Sequence, residues 1–431
     1  MIKPHKSEQT TLSSSYFYTY GILGLPLAFL GFPLYVFLPK YLTALGLSLS
    51  NIALILLITR LIDAIQDPLL GAWCARHGSL KKQSLWAILA LGFLIPLMLW
   101  LFYLSSSVWM TLVQLVLIYT AYSVCMINYY AVGAALPLTY EKKTTLTTTR
   151  EGFFLLGVLV FSAMPTLLKS PLEEREFYEQ LALILGLING MALAIYYFFH
   201  TQLPERIYKP INNLKPLSMV EIFKNRSFLT IACLFFLSIF AASMPGSLFI
   251  FYVKNILKAS DDHVGYFLGT YFLSGILGMP LWNYLSQNHG RLFSKRVLWI
   301  LGALLSIFSF IWAFFLSAQN FLAFYAICVG SGLALGLDLA LPPAILADYI
   351  AKTQNTAVFF GVWTFINKFA MSLGASGALY LVSLFGFKEG FVLTHGSHWS
   401  LPFTYAIIPC IVKGIFLLLL LRFKWVGVKS V

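Results

Sequence analysis

The sequence predicts an all-α integral membrane protein: 12 transmembrane helices in two pseudo-symmetric six-helix bundles. Composition, the spacing of apolar runs and an internal repeat each point there. The 431 residues are 59% hydrophobic and 10% charged, with a mean hydropathy of +0.81, whereas an ordinary soluble domain is about 25% charged. A hydrocarbon core of about 30 Å needs about 20 apolar residues to cross it as a helix. Twelve stretches qualify: residues 16–39, 49–75, 85–104, 108–137, 152–168, 181–199, 228–253, 264–285, 297–316, 321–346, 358–384 and 401–421, called spans one to twelve. The longest polar stretch, 200–227, separates six spans from six. It divides the chain into an N-terminal bundle (1–199), a cytoplasmic linker (200–227) and a C-terminal bundle (228–431).

The repeat supports that division. His77-Gly78-Ser79-Leu80, followed by Lys81, Lys82 and Trp86, returns as His289-Gly290-Arg291-Leu292, followed by Lys295, Arg296 and Trp299. Ala135-Leu136-Pro137 at the end of span four is answered by Ala340-Leu341-Pro342 near the end of span ten. Duplicated six-helix halves place their sites near the midplane, between the bundles.

Orientation follows from the basic residues of the short loops. Counting Lys and Arg, 20 fall on the side of both termini and 6 on the other, with Arg60, Lys368 and Lys413 inside spans. Both termini are therefore expected in the cytoplasm, with the chain in a plasma membrane, the inner one if the source is bacterial. The net charge of +13 is then accounted for by residues beside anionic headgroups, and the expected partners are a small-molecule substrate and membrane lipid, with no nucleic acid and a monomeric state. The first 15 residues are polar and the first apolar run is a full span, so no cleavable signal is expected. The five cysteines lie in or at the edge of spans without Cys-x-x-Cys spacing, which suits packing rather than disulfide or metal chemistry.

Charges inside spans carry the functional signal. Arg60, Asp63 and Asp67 recur at helical spacing in span two, so they share a face. A charge at bilayer depth costs about 2.5 kcal/mol or more, and such groups line watery cavities, pair with one another and mark ion or substrate paths. Two close carboxylates can share a proton or cradle a small hard cation. Lys368 in span eleven either competes with that cation for Asp63 and Asp67 or snorkels toward the cytoplasmic interface. Asp338 in span ten either lines the cavity of the second half or pairs with Lys413 of span twelve. Arg150 either contacts substrate or is a loop charge that sets topology. Tyr129, Tyr130, Trp363 and Phe365 offer rings for stacking. Glycine and proline in spans one, four, seven and ten (Pro26, Pro33, Gly133, Pro137, Pro245, Gly246, Pro342, Pro343) mark kinks and close packing.

Several of these residues together resemble a known family. Gly71-Ala-Trp-Cys-Ala-Arg76-His-Gly78 resembles the loop after span two in the major facilitator superfamily, with Ala75 where that pattern has aspartate. Arg60-x-x-Asp63-Ala-x-x-Asp67-Pro68, Arg150, Leu346-Ala347-Asp348-Tyr349 and Asn367-Lys368 are similar to the melibiose permease-like glycoside–pentoside–hexuronide:cation symporters. The resemblance implies the major facilitator fold and cation-coupled symport of a small organic solute, a sugar or glycoside. It implies a coupling group of Asp63, Asp67, Arg60, Gln66 and Lys368, with H⁺ or Na⁺ as coupling ion, no other cofactor, and no metal beyond Na⁺ at Asp63 and Asp67. With the charges and rings above, the expected substrate contacts are Asn128, Tyr129, Arg150, Trp363, Thr364, Lys368 and Asp338. There are departures. Leu25-Pro26-Leu27-Ala28-Phe29 carries no carboxylate where the family's sugar carriers have one, Asn128 or Tyr129 stands in place of a second, and Gln66 replaces an asparagine. The span-four hydroxyl that helps hold Na⁺ falls near Cys125 or Met126.

Two other functions remain in view. Lysophospholipid carriers of the superfamily share the span-two aspartates and span-eleven lysine, and would suit a cavity lacking sugar carboxylates. A membrane enzyme or sensor is disfavoured: no His-Glu-x-x-His, Gly-x-Ser-x-Gly or nucleotide loop occurs, and residues 200–227 are too few for an output domain. The absent carboxylates predict that α-galactosides bind poorly; calorimetry with melibiose should show no binding, and micromolar affinity would contradict this.

Overall fold

A computed structural model describes residues 14–36, 38, 42, 49–77, 79–104, 107–162, 164, 175–203, 219–288, 292–350, 356–385 and 399–422. Most of the 200–227 linker and the His289-Gly290-Arg291 half of the repeat lie outside the described residues. Helices stand at all twelve expected positions. Among the described residues, nine are long and apolar enough to cross a membrane: spans three, four and six to twelve. The other three differ for separate reasons.

Span one is two helices, Ser14–Gly21 and Gly24–Val36. Pro26 cannot donate to the carbonyl of Ile22 and its ring crowds that carbonyl, which is taken instead by the Leu25 N–H at 3.1 Å. Span two, Leu49–His77, is one helix through Pro68, made less apolar by Arg60, Asp63, Gln66 and Asp67. Spans seven (Arg226–Asn255) and ten (Phe321–Ile350) likewise run unbroken through Pro245 and through Pro342 and Pro343.

Span five departs most from the expectation. The helix runs over Tyr140–Ser162, starting well before residue 152, so Arg150 lies inside it rather than at its opening. Its first half, Tyr-Glu-Lys-Lys-Thr-Thr-Leu-Thr-Thr-Thr-Arg, reads as loop because hydropathy presumes lipid on every side. That half is enclosed by protein. Thr144, Thr147 and Thr148 return their hydroxyls to the carbonyl four residues back, which satisfies them within the helix.

The two halves meet along spans two, four and five on one side and eight, ten and eleven on the other. Their bonds gather toward the end bearing most of the basic residues, here called the basic end. Lys143 of span five donates to Ala347 O at 3.0 Å and lies 3.7 Å from Asp348. Asp348 also pairs with Lys295 at 2.5 Å, and the ammonium of Lys295 sits 3.9 Å from the centre of the Tyr140 ring. Thr145 donates to Asn283 Oδ1 at 3.1 Å.

Spans two and eleven come closest where each carries a glycine. A β-carbon on Gly361 would stand 2.7 Å from Asp67 O and 2.9 Å from Gly71 Cα; one on Gly71 would stand 2.6 Å from Ala357 O. Backbone lies against backbone here, so no side chain can move aside. Gly361→Leu is predicted to wedge the basic end open. Ser286, now 1% exposed, supplies the reporter: in a Ser286→Cys, Cys233→Ser background, alkylation should quicken several-fold with Gly361→Leu. An unchanged rate would mean that this crossing does not hold the end shut.

Candidate functional site

Asp63 lies 14 residues from either end of the 29-residue helix of span two, which places it at about mid-membrane at 1.5 Å per residue. Its face, with Asp67 one turn on, meets Ser123 of span four and Lys368 of span eleven. Span eleven, Thr356–Leu384, rises through predominantly apolar sequence, and Lys368 interrupts it about 18 Å from its start. The lysine does not snorkel along its own helix; it crosses to the other half. Lys368 Nζ donates to Asp63 Oδ1 at 2.6 Å, to Ser123 Oγ at 2.8 Å and to Asp67 Oδ1 at 3.1 Å. Asp67 Oδ2 lies 2.9 Å from the same ammonium without hydrogen-bond alignment.

The carboxylates are sequestered, with side chains 6% and 0% exposed against 24% for Lys368. Ser123 Oγ also donates to Asp63 Oδ1, at 3.2 Å. Gln66 joins from span two, its Nε2 donating to Asp63 Oδ1 at 3.2 Å, while its Oε1 accepts from Thr120 Oγ1 at 2.8 Å. Two carboxylates thus share one ammonium, and the three groups carry a formal charge of −1.

The hydroxyl expected near Cys125 or Met126 is instead Ser123, two residues earlier, and the oxygen shell is fuller than the sequence implied. Cys125 is fully buried in the N-terminal core. The missed signal was periodicity: Thr120 and Ser123 share a face of span four, whereas Cys125 is turned well away from it. The Arg60 guanidinium lies 5.7 Å from the centre of the Tyr119 ring of span four.

The expected substrate contacts are dispersed. Tyr129 is packed in the N-terminal core, its hydroxyl donating to Tyr20 O at 2.9 Å. Its neighbour Tyr130 faces the other half, edge-on to Phe360 with centroids 5.6 Å apart. Asn128 is buried, donating to Val124 O at 2.8 Å and Cys74 Sγ at 3.1 Å, and its Oδ1 has no partner. Arg150 is buried 3.7 Å over the Tyr130 ring and donates through Nε (2.8 Å) and Nη2 (2.6 Å) to Glu151 Oε1. Arg150, Tyr130 and Lys143 line a narrow cleft with Pro343, Ala347 and Phe360 of the other half.

In the C-terminal half, Trp363 stacks on Phe235 at 3.8 Å, and Thr364 bonds to the carbonyls of Phe360 and Gly361 in its own helix. Asp338 pairs with Lys413 at 2.5 Å and accepts from Ser238 (3.0 Å) and Trp299 (3.3 Å). Of the two roles open to it, pairing is the one the geometry realises, inside the C-terminal bundle. Such a pair fixes helix packing, because removing either partner leaves a buried charge uncompensated.

Comparison with known proteins agrees with this architecture. A family model described as MFS/sugar transport protein matches residues 19–425. A Bacillus subtilis (strain 168) protein named "Uncharacterized symporter YnaJ" is 26% identical over 395 residues, covering 86% of this chain and 82% of its own. Among solved structures, the chain is similar to the major facilitator transporter FucP in its outward conformation, with TM-score 0.71 and 13% identity over 95% of this chain and all of that one. It is also similar to a bacterial homologue of the iron transporter ferroportin in an outward-facing state, with TM-score 0.68 and 15% identity over 94% of this chain and 98% of that one. At such identities the structures speak for the fold alone. These relatives are transporters rather than enzymes, and the chain belongs to the MFS/sugar transport protein family as a multi-pass membrane transporter.

Proposed function

We propose that the protein is a cation-coupled symporter of a sugar or glycoside, of the glycoside–pentoside–hexuronide:cation type, with Asp63 and Asp67 as its coupling pair and Lys368 as their internal counter-cation. The observation that carries this reading is the charge imbalance at mid-membrane. One ammonium serves two buried carboxylates, and a net buried charge in a low dielectric is costly. A small cation that enters neutralises it, H⁺ or Na⁺ being the candidates.

Lys368 makes the coupling mechanical. Its ammonium belongs to the C-terminal half and the carboxylates to the N-terminal half, so the bridge ties the halves together at the level where they rock. A bound cation competes with the ammonium for the same oxygens. Displaced, Lys368 no longer ties span eleven to span two, and the relation of the halves can change. Solute binding near Arg150 and Tyr130, between the same halves, is favoured in whichever arrangement the cation favours. That shared preference is coupling in the thermodynamic sense. Alternating access then consists of opening the basic end, with its Lys143–Asp348–Lys295 pairs, while the opposite end closes.

The test is uptake into proteoliposomes, screened over sugars, nucleosides, peptides and lysolipids under imposed H⁺ and Na⁺ gradients. Asp63→Asn and Asp67→Asn, at matched reconstitution, should reduce gradient-driven accumulation to simple equilibration while leaving the protein folded. Full concentrative uptake in both variants would remove the coupling assignment. Concentration of lysolipids and not of sugars would move the substrate class.

A further inference from the structure

Gln66 is held at both ends of its amide, and the two ends differ in chemistry. Its Nε2 faces Asp63 and its Oε1 faces Thr120. The carboxylate dictates this orientation, since the reverse would set the amide oxygen against a carboxylate oxygen at the same 3.2 Å. Thr120 Oγ1 has a second acceptor, the carbonyl of Val116 in its own helix, at 2.7 Å. With one hydroxyl proton and two acceptors, Thr120 can serve Gln66 in either of two settings.

We propose that Thr120 sets the ion selectivity of the coupling site: by holding Gln66 with its amide NH₂ toward Asp63 and its carbonyl turned away, it lets the site take a proton and refuse Na⁺. This rests on the reading of Asp63 and Asp67 as the coupling pair. A hard cation is held by several oxygen ligands. Asp63, Asp67 and Ser123 offer oxygens on the face where the ammonium now sits. The Gln66 side chain beside them carries a further oxygen, Oε1, but it is engaged by Thr120 at 2.8 Å. An arriving Na⁺ meets the positive end of an amide dipole beside the carboxylate it needs.

A proton has no such requirement. It needs one carboxylate oxygen, and the Gln66–Thr120 pair can rearrange to receive it as the ammonium leaves Asp63. When Asp63 carries the proton, the Gln66 amide can turn over, its Oε1 accepting from the new O–H. Its Nε2 then donates to Thr120 Oγ1, whose own hydrogen passes to Val116 O. Each of these polar groups keeps a partner in both settings, as a buried network must. Asparagine, one methylene shorter, would not span from Asp63 to Thr120 in the same way, which gives the Gln66 departure a physical meaning.

The experiment measures radioactive sodium binding to the purified, reconstituted full chain at neutral pH, by scintillation proximity, alongside proton-driven uptake of whichever solute the screen identifies. The variants are Thr120→Val, which keeps the shape and removes the hydroxyl, and Gln66→Ala, which removes the amide should Thr120→Val fold poorly. The wild type should show no saturable sodium binding. Thr120→Val should gain saturable binding, at least about ten-fold tighter than the weakest affinity the assay detects, lost again on adding Asp67→Asn, and Gln66→Ala should gain it more weakly. Saturable sodium binding by the wild type, abolished by Asp67→Asn, would overturn the selectivity role while leaving the coupling pair in place. So would its absence from both variants while Asp67→Asn still abolishes proton-driven uptake. Proton-driven uptake that survives Asp63→Asn and Asp67→Asn would instead remove the coupling pair itself, and this inference with it.

Discussion

The Lys368 ammonium, held between Asp63 and Asp67 at mid-membrane, is the contact that the rest of the architecture serves. It joins two halves that elsewhere meet through apolar surface and the polar layer at the basic end, and does so where unpaired charge is most costly. Its short distances, 2.6 Å to Asp63 and 2.9 Å to Asp67, require spans two and eleven to run nearly in contact. Gly71 and Gly361 permit that approach, one turn or so toward the basic end, by presenting backbone to backbone. Ser123 and Gln66 add their donors to the same Asp63 oxygen that the ammonium bonds, and Thr120 holds the other end of the Gln66 amide.

The polar half of span five has the complementary task. Threonines that bond back to their own helix leave its surface smooth enough to lie against spans eight and ten. Lys143 reaches across to Asp348 and Ala347, and Arg150 is turned into the cleft above by Glu151 and Tyr130. One helix thus contributes to the closed end and to the floor of the candidate solute cleft. Opening the first necessarily disturbs the second. In the C-terminal half, the Asp338–Lys413 pair ties span ten to span twelve, with Ser238 and Trp299 bringing in spans seven and nine, which suits a bundle that moves as a unit.

Much of this was legible in the sequence, and the limits have physical causes. Composition and apolar spacing were enough to locate twelve helical regions, because lipid demands that backbone groups be satisfied within helices. Asp63, Asp67 and Lys368 stood out because charge in such helices needs a reason. Helix facing was less legible. Residues 129 and 130 differ by 100° of rotation, and nothing in their type says that Tyr129 turns into the bundle while Tyr130 faces the other half. The same ambiguity put the span-four hydroxyl at Cys125 or Met126 instead of Ser123. The start of span five was hidden because a polar helix enclosed by other helices has the hydropathy of a loop. Asp338 shows a different limit: its pairing depends on where Lys413 arrives from, and only the packed bundle answers that.

The central claim is that the Lys368 ammonium and the coupling cation are alternatives for the same oxygens. Lys368→Met tests it most directly, by comparing concentrative uptake with solute counterflow in the same proteoliposomes. Without the ammonium, the carboxylates keep their cation through the cycle. The account predicts that counterflow persists while accumulation against a gradient is lost. Undiminished concentrative uptake by Lys368→Met would contradict it, showing that the halves couple ion to solute without the bridge.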